Sequence, residues 1–371
     1  MESYFLSFKV ALILFPLIAF VFTLPYIIYQ YHKYGSIPFF RSFLVYLFIL
    51  YLLVMYLLII LPLPSISDVQ AMTSPTMQLI PFHFIVDFIQ NTNFSITNIH
   101  TYIPTLLSAE VYTVLFNLLL FVPFGFFLRY YFKCSLKKTF FLSLVLSLFF
   151  ELTQLSGLYF IYPRPYRLFD VDDLMINTLG GLFGYAIVPL FSFLPTRDEI
   201  DKKSYLKGKT ITPLRRFTAF FIDSFIVSIL TIIFGILSQK YAYFIVLILY
   251  FIILPYFTKG QTFGKFLVQI RIVHDDGSKV TFKDLVIRQG LLYFVFLSFP
   301  IYSGWLLSRI GTFNPLLIIF LVLLIMICMF YYFRLLFQAI RFIFTGKDKF
   351  TYEMYSHTKE ISNIMESEKK E

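Results

Sequence analysis

Long apolar runs separated by short basic loops dominate the hydrophobic pattern of this chain. A membrane-spanning helix needs roughly 20 predominantly apolar residues, and nine runs approach or exceed that length. The pattern therefore predicts an all-α polytopic membrane protein with about nine transmembrane helices. The runs lie at about residues 8–31, 42–63, 111–128, 139–160, from 172 onward, 217–238, 241–257, 289–307 and 315–333.

Lysine and arginine are distributed unevenly among the loops. Residues 64–110 contain neither, whereas basic residues follow the third and the fifth runs. Because basic loops tend to stay in the cytoplasm, we expect residues 64–110 and the N-terminus outside the cell, and the C-terminus inside. The net charge is +10, but only 14% of the residues are charged. The basic loops account for this charge, so we expect the lipid bilayer as a partner and not nucleic acid.

Changes in composition set the predicted domain limits. Residues 195–214 are rich in charged and polar side chains, and we interpret them as a cytoplasmic linker. A five-helix domain at residues 1–194 then precedes a four-helix domain at residues 215–358. Residues 359–371 form a charged tail.

Two loops carry patterns of their own. Leu79–Gln90 places apolar residues on one side and Asp87 on the other, which indicates either a helix in the membrane interface or a covering loop. In the loop after the seventh run, Phe266–Val273 and Val280–Phe282 flank an Asp-Gly pair. Such flanking strands predict a small β-hairpin in a cytoplasmic loop.

Ionisable and amide side chains concentrate around the stretch from Glu151 to Gly184. Glu151 lies inside an apolar run, where a carboxyl group is costly and usually marks a site. Asp172 and Asp173 stand at the start of the fifth helix, either as simple caps favoured by the helix dipole or as part of that site. The candidate functional cluster comprises Asn117, Glu151, Gln154, Arg164, Arg167, Asp170, Asp172, Asp173 and Asn177.

Two arginines and three glycines complete this stretch. Arg164 and Arg167 fall on the predicted outer side, against the topology rule, and we expect them to pair with the nearby aspartates. Gly180, Gly181 and Gly184 have the small-residue spacing that lets two helices approach closely, so we assign them to helix packing. The sequence predicts no metal ion and no cofactor.

The same residues resemble a known family. Asn117 followed by FVPFG, then Glu151 with Gln154, RLFDVDD and NTLGGLFGY, are similar to the VanZ family over roughly residues 40–190, as is the LIPF at residues 79–82. This resemblance implies a role in resistance to teicoplanin-type glycopeptides in Gram-positive bacteria. It also implies that the polar residues of the cluster, apart from Arg164, correspond to the characteristic polar positions of that family.

The second half resembles the RDD family, which is named after an arginine and two aspartates. RRFTAFFID, GQTFGK and IRIVHDDGSKVTFKDLVIRQ carry the similarity. Arg216 and Asp223 match the first two named positions, and the third would fall at Tyr352-Glu353, so Glu353 replaces an aspartate. Asp223, about 10 Å deeper than Arg216 along one helix, needs a partner from Arg216 or from another helix. Some members of that family are associated with ion or proton transport, whereas we favour a structural ion pair for Arg216 and Asp223.

Three functions follow from these patterns. The first is a non-enzymatic envelope protein of the bacterial plasma membrane that binds a headgroup, a lipid-linked cell-wall precursor or a lipoglycopeptide. The second is an ion- or proton-coupled transporter that uses Glu151 and Asp223. The third is a membrane enzyme acting on a lipid-linked precursor. No nucleophile paired with a base is visible in the sequence, which favours a role other than catalysis.

Overall fold

The computed structural model describes residues 2–237, 242–297, 303–304, 308, 314–345 and 349–364. The turn predicted at Gln239-Lys240, most of the predicted eighth span beyond residue 297, and the end of the predicted tail lie outside the described residues. The chain divides into two compact units. The first comprises Met1–Val21 with Phe39–Ile200, and the second comprises Phe22–Pro38 with Asp201–Glu371.

Helices make up nearly all of the first unit. Two short strands, β1 and β2, pair in parallel, with Met77 opposite Phe169. Short 3-10 turns occur at Ile99–Thr101 and Val188–Phe191. In chain order the elements are α1 (Glu2–Tyr34, shared with the second unit), α2 (Phe39–Ile60), α3 (Ile66–Ala71), β1 (Met77–Gln78), α4 (His83–Asn91), α5 (Tyr102–Leu106), α6 (Ala109–Tyr130), α7 (Leu136–Leu155), the left-handed turn α8 (Gly157–Phe160), β2 (Phe169–Asp170), α9 (Val171–Ile187) and the shared α10 (Arg197–Gly208).

The second unit combines apolar helices with a small sheet. Its elements after α10 are α11 (Pro213–Leu237), α12 (Ala242–Ile248), α13 (Leu254–Phe257), α14 (Phe263–Leu267), β3 (Ile270–His274), α15 (Phe282–Gln289), α16 (Pro315–Thr345), α17 (Thr351–Tyr355) and β4 (Thr358–Ser362). Wider π-helical turns occur at Leu249–Ile253 and Gly290–Leu297.

Seven helices in the described ranges are long and apolar enough to cross a membrane, namely α1, α2, α6, α7, α9 with its 3-10 extension, α11 and α16. A shorter apolar stretch, Ala242–Phe257, coincides with the predicted seventh span. The expectation of an all-α polytopic membrane protein is confirmed. The number of nine spans and the orientation stay predictions.

Glycines bring α6 and α9 into close contact. A methyl group added to Gly180 or Gly184 would overlap the backbone carbonyl of Leu118 or Val122 on α6. A methyl group at Gly125 of α6 would in turn overlap the carbonyl oxygen of Gly181. With no side chains between them, the two backbones approach closely enough for side chains on both helices to face one site.

Helix α7 ends at Leu155, five residues before the predicted end of the fourth span. The next residues, Gly157–Phe160, all have φ between 56° and 67°, and three of them carry a Cβ that disfavours this left-handed region. The turn is held by packing, because Leu158 and Tyr162 are buried against Ile60 on α2. Glu151 consequently lies about 6 Å from the end of its helix at 1.5 Å per residue.

The predicted amphipathic segment and the predicted hairpin have different outcomes. His83–Asn91 is a helix, whereas Val280–Phe282 does not pair with β3. Strand β3 pairs antiparallel with β4, from Ile270 opposite Ser362 to His274 opposite Thr358. The hairpin prediction is wrong because Thr281 and Asp284 form a capping box that starts α15 shortly after the Asp-Gly turn. The capping box satisfies the backbone N–H groups at this point, so the segment forms a helix and not a strand.

Candidate functional site

A cavity of about 320 Å³ lies within the first unit, and we call it the Glu151 cavity. Helices α2, α6, α7 and α9 line it together with the loop before β2. It brings together six of the nine residues in the predicted cluster, which are Asn117, Glu151, Gln154, Arg167, Asp173 and Asn177. The others, Arg164, Asp170 and Asp172, are not among the lining residues.

Two carboxyl groups face this cavity with unfilled acceptor positions. Glu151 is 3% exposed, and its Oε2 accepts a hydrogen bond of 3.0 Å from the backbone N–H of Asp170. Asp173 Oδ1 accepts one of 2.7 Å from Asn117 Nδ2. Within the described residues, Glu151 Oε1 and Asp173 Oδ2 accept no hydrogen bond. The site therefore presents carboxylate oxygens to whatever enters it.

Amide side chains on two helices add further acceptors. Asn177 donates from Nδ2 to Ser147 Oγ at 2.9 Å, and its Oδ1 is buried without a hydrogen bond in the described part of the chain. Gln154 donates from Nε2 to the carbonyl of Ile59 at 3.3 Å. Because a buried acceptor without a partner costs free energy, the Asn177 oxygen is a position that a ligand donor would fill.

The three aspartates around the start of α9 have three different roles. Asp170 caps the helix by accepting from the backbone N–H of Asp172 at 2.8 Å, and burial raises the pKa of its carboxyl. Asp172 accepts hydrogen bonds from the backbone N–H groups of Phe82 at 2.6 Å and Phe84 at 2.9 Å. It thereby holds the LIPF segment, and only Asp173 faces the cavity.

The expected direct ion pairs between the two arginines and the aspartates are not formed. Arg164 donates through both terminal nitrogens to the carbonyls of Met72 and Ser74. Arg167 donates to the carbonyl of Leu61 at 2.9 Å while lining the cavity. These carbonyl groups lie in loops and have no N–H partner within a helix, so they need hydrogen bonds from other donors. The guanidinium groups of Arg164 and Arg167 provide those hydrogen bonds.

In the second unit, Arg216 does not pair with Asp223. Arg216 Nη1 lies 3.0 Å from Glu353 Oε1, and its Nε lies 3.0 Å from Glu360 Oε2. The Arg216 guanidinium also sits near the Phe342 ring, 4.8 Å from its centroid. Glu353, the residue expected at the third RDD position, is thus a direct partner of Arg216.

Asp223 is held by uncharged donors from another helix and a loop. Its oxygens accept hydrogen bonds from Tyr250 Oη at 2.6 Å, Thr262 Oγ1 at 2.6 Å and the backbone N–H of Gly264 at 2.7 Å. A methyl group at Gly264 would overlap both Ala219 and Asp223. The GQTFGK motif therefore needs glycine in the first turn of α14, which packs against this carboxyl group.

Sequence reasoning missed three members of the charged group in the second unit. Lys265 Nζ lies 2.7 Å and Arg288 Nη2 lies 3.0 Å from Glu360 Oε1, and Arg288 also contacts Glu353. Burial alone would raise the pKa of Glu360, but Lys265, Arg216 and Arg288 hold it well below its usual range. Lys265 and Arg288 stand in the quoted motifs, which was the available signal, whereas Glu360 lies in a polar tail with no distinguishing pattern.

The described residues contain no group of three or more His, Cys, Asp and Glu side chains placed to hold a metal ion. Fold and sites together define a multi-pass, all-α membrane protein in which each unit has a cavity lined in part by charged residues. The VanZ/LLP1 family model matches residues 48–192, and the RDD family model matches residues 210–335. The chain therefore joins a VanZ-like region to an RDD-like region, and both similarities indicate a membrane protein of the cell envelope. No curated protein and no solved structure matches the chain.

Proposed function

We propose that the Glu151 cavity binds an amine-bearing group of a cell-envelope ligand, and that this binding contributes to teicoplanin-type glycopeptide resistance or to modification of the cell surface. The observation that supports this is the pair of buried carboxyl groups, Glu151 and Asp173, on one cavity with unfilled acceptor oxygens. The ligand is a lipid-linked cell-wall precursor or a lipoglycopeptide. The protein acts as a binder in the bacterial plasma membrane.

Charge balance favours a cation. The lining carries two carboxyl groups against the single guanidinium of Arg167. Ionisation of both carboxyl groups therefore leaves one excess negative charge at membrane depth, where uncompensated charge is costly. A primary ammonium group neutralises that charge. Its three N–H donors suit Glu151, Asp173 and the unpartnered oxygen of Asn177.

The similarity to the VanZ family supports a connection between this cavity and glycopeptide resistance. Its matched residues, 48–192, include every residue that lines the Glu151 cavity. The uneven distribution of lysine and arginine supports an orientation in which this cavity lies in the outer half of the membrane. There it is accessible to envelope precursors and to glycopeptides with polar groups.

Drug susceptibility in a Gram-positive host tests this proposal. The host expresses wild type, Asp173→Asn, Glu151→Gln or Asp87→Asn at matched membrane levels. Asp87 is a control, because it pairs with His83 on α4 and does not line the Glu151 cavity. We expect wild type and Asp87→Asn to raise the inhibitory concentration of teicoplanin, and both cavity variants to return it to that of the host alone.

A binding measurement on the purified protein tests the preference for an amine independently of drug resistance in cells. With purified protein in non-ionic detergent, we expect nonylammonium to raise the unfolding temperature more than nonanol does, and the difference to vanish in Asp173→Asn. Full resistance in both cavity variants, together with equal effects of the two probes, would refute the proposal. Proton flux in vesicles that is lost in Glu151→Gln would favour the transporter instead.

A further inference from the structure

The second unit contains a cavity of about 370 Å³ that the proposed function does not use, and we call it the Arg216 cavity. Its volume lies in the range of small-molecule sites. Its wall divides by chemistry into a charged group and an apolar surface. The charged and amide residues are Arg216, Asp223, Lys265, Arg288, Gln289 and Glu360. The apolar surface includes Phe217, Phe220, Leu292, Leu335, Leu336 and Phe342.

Cations, not carboxylates, are the more accessible charges of this group. The side chains of Arg216 and Lys265 are 20% and 14% exposed, whereas those of Glu353 and Glu360 are 2% and 4% exposed. Asp223 is 1% exposed, and its two oxygens already accept three hydrogen bonds from the chain. An entering molecule therefore contacts Arg216 and Lys265 before it can reach the carboxylates. The buried Glu353 and Glu360 nevertheless balance the positive charge of these two side chains.

The same cations have hydrogen-bond donors to spare. Arg216 donates a hydrogen bond from Nη1 to Glu353, and its Nε lies 3.0 Å from Glu360 Oε2, whereas its Nη2 donates none in the described part of the chain. Lys265 Nζ makes one, to Glu360, out of three possible. Gln289 is 2% exposed, lines the cavity, and makes no side-chain hydrogen bond among the described residues. Spare donors select a ligand head that is rich in acceptors.

We infer that the Arg216 cavity binds an anionic amphiphile, that is, an alkyl carboxylate or alkyl phosphate. The head accepts hydrogen bonds from Arg216, Lys265 and Gln289, because guanidinium and ammonium groups match the geometry and charge of carboxylate and phosphate oxygens. The alkyl chain lies along the apolar surface beside Phe217 and Phe342. The site is independent of the Glu151 cavity and lies within the second unit.

A displacement experiment on the purified full chain tests this inference. Dansylundecanoate serves as the fluorescent probe in non-ionic detergent, and dodecyl phosphate, dodecanol, phosphatidylglycerol and inorganic phosphate compete with it. We expect dodecyl phosphate to displace the probe at a concentration about tenfold below that of dodecanol, the difference that one charge-assisted hydrogen bond supplies. Inorganic phosphate at the same concentration should not displace it. Stronger displacement by phosphatidylglycerol would identify the source of the head as a membrane lipid.

Two variants and one control locate the site. Lys265→Gln and Gln289→Met should each weaken dodecyl phosphate several-fold and leave dodecanol unchanged. Gln289→Met removes no charge and breaks no hydrogen bond in the described structure, so it keeps the test valid if Lys265→Gln unfolds. Lys283→Gln makes the same charge change on an exposed part of α15 and should behave as wild type. Equal displacement by dodecyl phosphate and dodecanol, or unchanged affinity in Gln289→Met, overturns the inference.

Discussion

The contact between Asp172 and the LIPF segment predicts a local loss of structure when the carboxylate is removed. Asp172 accepts two backbone hydrogen bonds, from Phe82 at 2.6 Å and from Phe84 at 2.9 Å, and it is 3% exposed. Phe82 has a φ of 66°, in the left-handed region that is unfavourable for a residue with a Cβ atom. Without the hydrogen bond to Asp172, we expect Phe82 to adopt a more favourable conformation. In Asp172→Ala both acceptors are lost, while the helix keeps its cap at Asp170.

The size of the effect follows from these two bonds. A hydrogen bond to a charged group contributes about 1.5–3 kcal/mol, so two contribute about 3–6 kcal/mol. Each 1.4 kcal/mol is a factor of ten in an equilibrium, so amide protection of Phe82 and Phe84 should fall by about 10² to 10⁴. Protection of the α6–α9 contact should change little, because glycine packing and not Asp172 holds those helices together.

Hydrogen exchange followed by mass spectrometry, on peptides that cover Met77–Asn91, measures this directly. Asp87→Asn removes a carboxylate from this peptide that pairs with His83 and accepts no hydrogen bond from Phe82 or Phe84, so it should leave the exchange of these two amides unaltered. If these two amides exchange in Asp172→Ala as slowly as in wild type, the carboxylate does not hold the segment and the reasoning fails.

Two further predictions concern packing and pH. In thermal unfolding, Gly180→Ala should destabilise the first unit by about 1–3 kcal/mol, because the methyl group meets backbone of α6 that cannot move aside. Gly235→Ala, which meets nothing within 4 Å, should be neutral or stabilising, and equal losses in the two variants would contradict the packing assignment. Because the pKa of Glu360 is lowered in the folded state from its usual 4.5, the stabilisation that it provides is complete above that value and is lost as the pH falls below it. Protease resistance of residues 349–364 should therefore stay level from pH 8 to pH 5 and decrease below it. A Glu360→Gln variant that keeps the wild-type slope would show that this carboxyl group is not responsible.

The length of an apolar run and the cost of burying a charged side chain can both be read from the sequence. They were enough to predict the membrane helices and most of the polar residues that line the Glu151 cavity. Apolar runs located the membrane helices because each helix must satisfy its own backbone in the membrane. Asn117, Glu151, Asp173 and Asn177 stood out because polar groups are rare in such runs, and the structure places all four on one cavity. The glycine spacing likewise indicated a close helix contact before any partner was known.

Partner choice was decided only by the tertiary structure. Phe82 and Asp172 are 90 positions apart, and Arg216 and Glu353 are 137 apart, so no sequence spacing relates them. Loop carbonyls outcompeted the aspartates for Arg164, and a capped helix replaced the second strand of the expected hairpin. Sequence thus determined which residues must find partners in the membrane. The packing of helices and loops determined which partners they find, because it fixes the positions of donors and acceptors that lie far apart along the chain.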